Sequence, residues 1–381
     1  MLRLLITAFL VLTTTSAQAE NNVNYPSEIE FKNENPYPRI VDAGEFCCAG
    51  FAAGNFLGGK QELILNVIPP DEYVDALWGS PNPNHSEIYQ RFKKENWKDK
   101  INLLRNNGGR LSRMDGELDL RNGFCLHAAK LVEADFNEDG ILDVLVSCHG
   151  FDAPPYPGEH SYILFGGSGG VITSHQLTKK RGFYHGATVM DINGDGHLDP
   201  VLTDAFAGKV IAFLNDGRGN FGSAKTLLSG LKANYTMSSF DFNRDGYTDI
   251  IVGGHEVDKY GSLETKIYFN DGRGRFSSSR TAKVPKVKNF GIVLDYLVYG
   301  KWLFVVRTMH HPQSYVGGAI QQIDLDSMTQ VGLISKDSER HVANLRRIAN
   351  GSGIMTFGSP MAFRNNYDFT VDQNGKMRFV R

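Results

Sequence analysis

Residues 135–146 read DFNEDGILDVLV, and the phrase returns as DINGDGHLDPVL at 191–202 and DFNRDGYTDIIV at 241–252. Positions 1, 3, 5 and 9 are Asp, Asn, Asp and Asp each time, with Gly at position 6. The first copy carries Asp135, Asn137, Asp139 and Asp143, the second Asp191, Asn193, Asp195 and Asp199, the third Asp241, Asn243, Asp245 and Asp249. Alternating short oxygen-bearing side chains turn toward one centre, and the backbone carbonyl at position 7 (Ile141, His197 or Tyr247) adds a donor. A flexible ring of about six to eight hard oxygens suits Ca²⁺ better than Mg²⁺, which demands octahedral geometry. Three carboxylates in so small a loop repel one another unless a cation stands among them. About three structural calcium ions are therefore expected.

An EF-hand would need Glu at position 12 and a helix on each side. Position 12 is Val146, Leu202 or Val252, inside a β-branched apolar run, and the segments before each loop also read as strands. Each loop thus joins two strands. Plain polar hairpin turns are the simpler alternative, since Asn-Gly and Asp-Gly are common there, but three full matches to the ligand pattern favour calcium.

A second motif follows: IAFLNDGRGNF at 211–221, IYFNDGRGRF at 267–276 and, more loosely, YILFGGSGG at 162–170. The unit is strand, acid loop, strand, connection, strand, tight turn, strand, at the spacing of propeller blades. Weaker copies without the acids occupy 52–68 with 101–111, then 290–306 and 342–358. The expected fold is all-β, a propeller of six four-stranded blades, or seven if two have been merged.

The D-x-N-x-D-G-x-x-D loop and N-D-G-R-G-x-F turn resemble the FG-GAP/VCBS repeat family, found in integrin α-chains and many exported bacterial proteins. The resemblance is strong over 125–280 and weak outside. It departs from the name-giving signature at FYHGA (183–187) and NFG (289–291), so integrin ligand binding is not carried over. It implies that the acid loops share one face, with the loops entering first strands and leaving second strands on the other. That second face would gather His127, His149, His185, Tyr235, His255 and His310 as a candidate ligand face, with Tyr184 and Arg307 near in register. Histidine transfers protons near neutral pH and binds metals. A protein or glycan partner is expected there. The alternatives are a polysaccharide-cleaving, lyase-like enzyme, a structural module of an envelope assembly, or histidines that merely plug strand ends.

The start, MLRLLITAFLVLTTTSAQA, has a basic residue, a short apolar run and a small-residue cleavage pattern, so residues 1–19 read as a signal peptide and 20–381 as one propeller domain. The run is too short to span a bilayer, which leaves an exported protein: periplasmic, secreted or cell-surface. Cys47, Cys48, Cys125 and Cys148 then suggest disulfides, with three pairings open, a bridge between the first two blades among the plausible ones, and an adjacent Cys47–Cys48 bridge disfavoured by strain. The net charge of −2 and the lack of a dense Lys/Arg run exclude nucleic acid as the expected partner. Two insertions decorate the second face. Residues 69–100 include a candidate amphipathic helix with Ile88, Phe92 and Trp97, and 151–161 form a proline-braced loop.

Overall fold

The structure, a computed structural model, describes residues 50–58, 63–78, 82–107, 110–114, 118–256, 263–309, 316–340, 346–348, 355–358, 369–371 and 376–379. The signal segment, Cys47, Cys48 and His310 lie outside them. Among the described residues the fold is all-β apart from two short helices, and its strands form six sheets in chain order.

The first strands of sheets one to five are Gly50–Gly54, Ala128–Ala134, Tyr184–Met190, Thr236–Phe240 and Ile292–Tyr299, and each neighbours the next. Every sheet then runs outward through antiparallel neighbours in sequence order, a propeller-like plan. The second sheet departs from the four-stranded expectation. A short strand, Leu118–Asp119, adds parallel to its outer strand Ile172–Gln176.

The apolar runs are continuous because both faces of a sheet are covered. In Asp143–Cys148 all six residues are buried. Val144 and Val146 pack toward Leu65 and Leu103 of the first sheet, whereas Leu145 packs toward Val189 and Leu202 of the third. The pleat sends successive side chains to opposite faces, so one strand feeds two cores. Similar layers lie between sheets three and four, four and five, and five and six.

Two features tie the sheets across longer distances. Lys130, on the first strand of sheet two, meets Asp295, on the first strand of sheet five, at 2.5 Å, with Asp295 fully buried. Each residue immediately follows a register shift in its strand, and such bulges re-aim side chains. Arg307, also fully buried, is bound by Glu256, by the Gln321 side chain and by the Phe290 and Pro285 carbonyls. This places Arg307 in a packed ion pair between sheets rather than at an open mouth.

The insertion at 69–100 holds both helices, Asp71–Trp78 and His85–Glu95. The second matches the expected amphipathic segment. Asn84 caps it by accepting the Glu87 N–H, and Ile88 and Phe92 face inward. Together the helices cover one end of the second sheet, with Tyr73, Phe92 and Trp97 packed against Phe151 and Leu126.

Candidate functional site

Each sheet has two ends, and chemistry collects at both. At one end lie the three acid loops, which share one set of hydrogen bonds, the second adding a Gly194 N–H bond to Asp191. Asp135 accepts N–H bonds from Asp139 and Gly140, Asn137 accepts from Asp139, and Asp139 accepts from Ile141. Asp191, Asn193 and Asp195 do the same toward Asp195, Gly196 and His197, as do Asp241, Asn243 and Asp245 toward Asp245, Gly246 and Tyr247. These bonds fold the side chains of positions 1, 3 and 5 inward. The position-6 glycines all adopt left-handed backbone, at φ values of 82°, 88° and 86°.

Position 9 plays a second part. Asp143, Asp199 and Asp249 are fully buried. One oxygen of each accepts the position-2 N–H, from Phe136, Ile192 or Phe242, and the other accepts an N–H from the turn of its own sheet, at Gly166, Asn215 or Asn270. Burial pushes these carboxyls up to about 7, about 6 and about 7, against the pull of those N–H bonds, and the neighbouring loop carboxylates push the same way.

The acid loop and the N-D-G-R-G turn, separate in the sequence, interlock between sheets. The Phe136 carbonyl of the second sheet's loop accepts the Asn215 side-chain amide at 2.7 Å and the Gly219 N–H at 3.2 Å, both from the third sheet's turn. One sheet further on, Gly274 lies so close to the third sheet's loop that a Cβ there would stand 2.4 Å from the Ile192 carbonyl oxygen. His197 Nδ1 also reaches back 2.5 Å to Glu138 of the preceding loop.

At the other end, the expected histidines come together. His127 and His149 have ring centroids 3.8 Å apart, His149 stacks on His185 at 5.1 Å, His185 lies 5.2 Å from Tyr235, and Tyr235 4.5 Å from His255. This file of rings crosses sheets two, three and four. The file is buried at His127 and His149, each 2% exposed, and at His255, 7%, but only half-buried at His185 and Tyr235. Burial drives His127 down to about 3, His185 to about 4 and His149 well below its ordinary value. The His185 Nδ1 donates to the Tyr235 carbonyl at 2.7 Å. Tyr184 is likewise buried, its hydroxyl donating to the Lys180 carbonyl.

The sequence gives no sign of three neighbours of this file. Tyr73, from the first helix, places its hydroxyl 3.1 Å from His127 Nδ1. Asp99 accepts the His127 and Ala128 N–H groups, holding His127 in left-handed backbone at φ 59°. Asp152 donates its N–H to the Tyr73 hydroxyl, and burial raises its carboxyl to about 7. One aromatic group on this face is open. Phe206, 41% exposed, packs on Phe183 at 4.4 Å and edge-on against Tyr156 of the proline-braced loop at 5.2 Å.

Of the cysteines expected in disulfides, Cys125 and Cys148 form one, which belongs to one of the three open pairings. It lies within the second sheet, joining the approach to its first strand to the end of its second, and so does not link the first two blades as the strand-end positions suggested.

Residues 191–252, one acid loop through the next and the strands that follow each, match the FG-GAP-like repeat. This segment is an FG-GAP repeat. The family reading made from the loops therefore holds on the stretch that includes two of them. No curated protein matches the chain in sequence. Among solved structures the chain is similar to the periplasmic gluconolactonase of Pseudomonas aeruginosa, at 13% identity and TM-score 0.51 over 87% of this chain and 84% of that one. It is also similar to the Dos1 propeller, at 11% identity and TM-score 0.41 over 72% and 66%. A lectin of Agrocybe aegerita that recognises non-reducing terminal N-acetylglucosamine matches at 12% identity and TM-score 0.38 over 76% and 80%. At such identities the likeness concerns the fold alone. Among the described residues no helix is long and apolar enough to cross a membrane.

Proposed function

We propose that the chain is an exported, calcium-stabilised propeller of six blades that acts as a binding and adhesion module, holding a glycan or protein partner on the face opposite the acid loops. The observation that carries the binding role is the exposed Phe206 ring, backed by buried Phe183 and half-buried Tyr156. Two of these rings sit on loops set by a rigid scaffold, where binding residues concentrate. An exposed ring backed by others offers a flat apolar face. A sugar ring, apolar on one face and hydroxylated at its edge, suits such a face.

Six sheets in chain order support the blade number. So does the Lys130–Asp295 pair, since the second and fifth blades of a six-membered ring stand opposite each other. In the calcium reading, the side chains at positions 1, 3, 5 and 9 and the position-7 carbonyl would hold each ion. Calcium would neutralise the crowded carboxylates and fix the loop on which the next sheet's turn docks. The all-oxygen donor set fits that ion. Export is supported by the Cys125–Cys148 bridge, because disulfides persist in oxidising compartments.

Elimination chemistry on a polysaccharide would need a histidine that substrate can reach and that titrates near neutral pH. The burial and depressed basicity of His127 and His149 favour binding instead. The deciding experiment offers the mature protein a panel of immobilised acidic and neutral polysaccharides. Retention on at least one glycan is expected, with no new unsaturated or reducing ends, and Phe206→Ala and Tyr156→Ala should each weaken it about tenfold, the scale of one lost aromatic contact. Release of chain ends would replace the binding role with an enzymatic one. Unaltered retention by both variants would move the site off this face.

A further inference from the structure

We infer that His127, His149 and Asp152 form a binding site for a divalent transition metal of the zinc class, at the opposite end of the second sheet from its acid loop. One potential ligand atom from each lies within 4.8 Å of the other two. A zinc ion at bonds of about 2.0 Å would draw tetrahedral ligands to about 3.3 Å apart, a side-chain adjustment. Two imidazoles and a carboxylate select zinc and its neighbours over calcium, which takes oxygen alone.

An independent observation points to a ligand. His149 is 2% exposed, and its Nδ1 has no hydrogen-bond partner in the structure. Buried polar groups are paired in nearly all native proteins, and an orphan calls for an explanation such as an ion. A metal held jointly by the three residues supplies one.

The surroundings are those of a metal site. Metal-bound histidines are oriented by a contact at the other ring nitrogen. The Tyr73 hydroxyl lies 3.1 Å from His127 Nδ1 and accepts the Asp152 N–H at 3.0 Å, so one hydroxyl positions two of the three residues. His185 lies parallel to His149, with 3° between ring planes, and fixes the second imidazole. Phe151 and Trp97 wall the site with apolar surface. Three protein ligands leave a fourth position, for a water or an oxygen of a bound molecule. Bound metal would also tether the proline-braced loop, through Asp152, to the sheet. The site does not depend on the partner proposed above.

The test uses the mature full-length protein saturated with calcium, titrated with Zn²⁺ and, separately, with Co²⁺. One zinc per chain is expected, and cobalt should give the visible absorption of a four-coordinate site. Tyr73→Phe, which removes only the orienting hydroxyl, should weaken zinc about 10- to 100-fold, and Asp152→Asn should weaken it further. Both changes are small enough to keep the fold, which circular dichroism will verify. His149→Gln should abolish the cobalt spectrum. Absence of that spectrum in the wild type would overturn the site, as would zinc affinity unchanged in Asp152→Asn and Tyr73→Phe.

Discussion

The first and second sheets solve the same joint with different chemistry. Both have a buried Phe at position 2 of the loop between their first two strands, Phe56 and Phe136. In both, the next sheet's turn docks on that residue's carbonyl: Gly167 N–H on Phe56, Gly219 N–H on Phe136. In both, position 4 is left-handed, at Gly58 and Glu138. What the first sheet lacks is the acids. Asn55, Leu57, Gly59 and Leu63 stand where Asp135, Asn137, Asp139 and Asp143 stand in the second. The part of the joint that both sheets share is therefore made by backbone and phenylalanine, to which the second adds the Asn215 amide. The half-buried carboxylates at position 1 and the exposed ones at position 5 are not needed for that joint, which is consistent with the calcium role proposed for them.

The comparison is sharpest at the phenylalanines. Phe136→Ala should destabilise by about 3–5 kcal/mol, and Phe56→Ala by a similar amount, in denaturant unfolding. A small effect at Phe56 alone would mean that the first joint is held some other way. Next, Asp143→Ala would strand the buried Phe136 and Gly166 N–H groups, at about 1–3 kcal/mol each. Because Leu63 fills that position in the first sheet, Asp143→Leu should recover part of the loss through burial, and no recovery would show that the two loops are not interchangeable. Calcium comes third. A saturating ion adds about 3 kcal/mol at a hundredfold excess over Kd, so chelator should lower the melting midpoint by several degrees. Asp195→Asn should reduce that shift without lowering the midpoint measured in chelator. No shift at all would reduce the loops to polar turns. The smallest effect belongs to Gly194, at position 4 of the third sheet's loop with φ 76° and open space around it. Gly194→Ala should cost about 1 kcal/mol of backbone strain alone, readable as a small midpoint change.

Much of this was legible in the residues. The acid loops, the turns and the six strand clusters follow from period, glycine placement and β-branched runs, because local chemistry and tertiary context agree there. The grouping of His127, His149, His185, Tyr235 and His255 at one end was legible too, because strand direction alone places them. What escaped is contact between segments distant in sequence. Nothing in IAFLNDGRGNF says that its Asn215 and Gly219 will bind Phe136 of the sheet before. Burial of the histidines could not be read, since it depends on helices from 71–95 folding over them, and Asp71–Trp78 is too short to carry a clear periodicity. The Cys125–Cys148 bridge required knowing which ends of two strands meet. Asp152 looked like one more polar residue in a loop.

The Lys130–Asp295 pair bears on how the chain is made. Repeat proteins approximate a one-dimensional stack in which each unit is stabilised only by its neighbours. A contact between the second and fifth sheets, 165 residues apart in the chain, breaks that rule. A nascent chain that has completed four sheets has the first three joints but no carboxylate for this ammonium. Only when the fifth sheet arrives can the second sheet couple to a non-neighbour, so cooperativity beyond adjacent sheets is acquired late, and a chain truncated before that point is held by neighbour-to-neighbour joints alone.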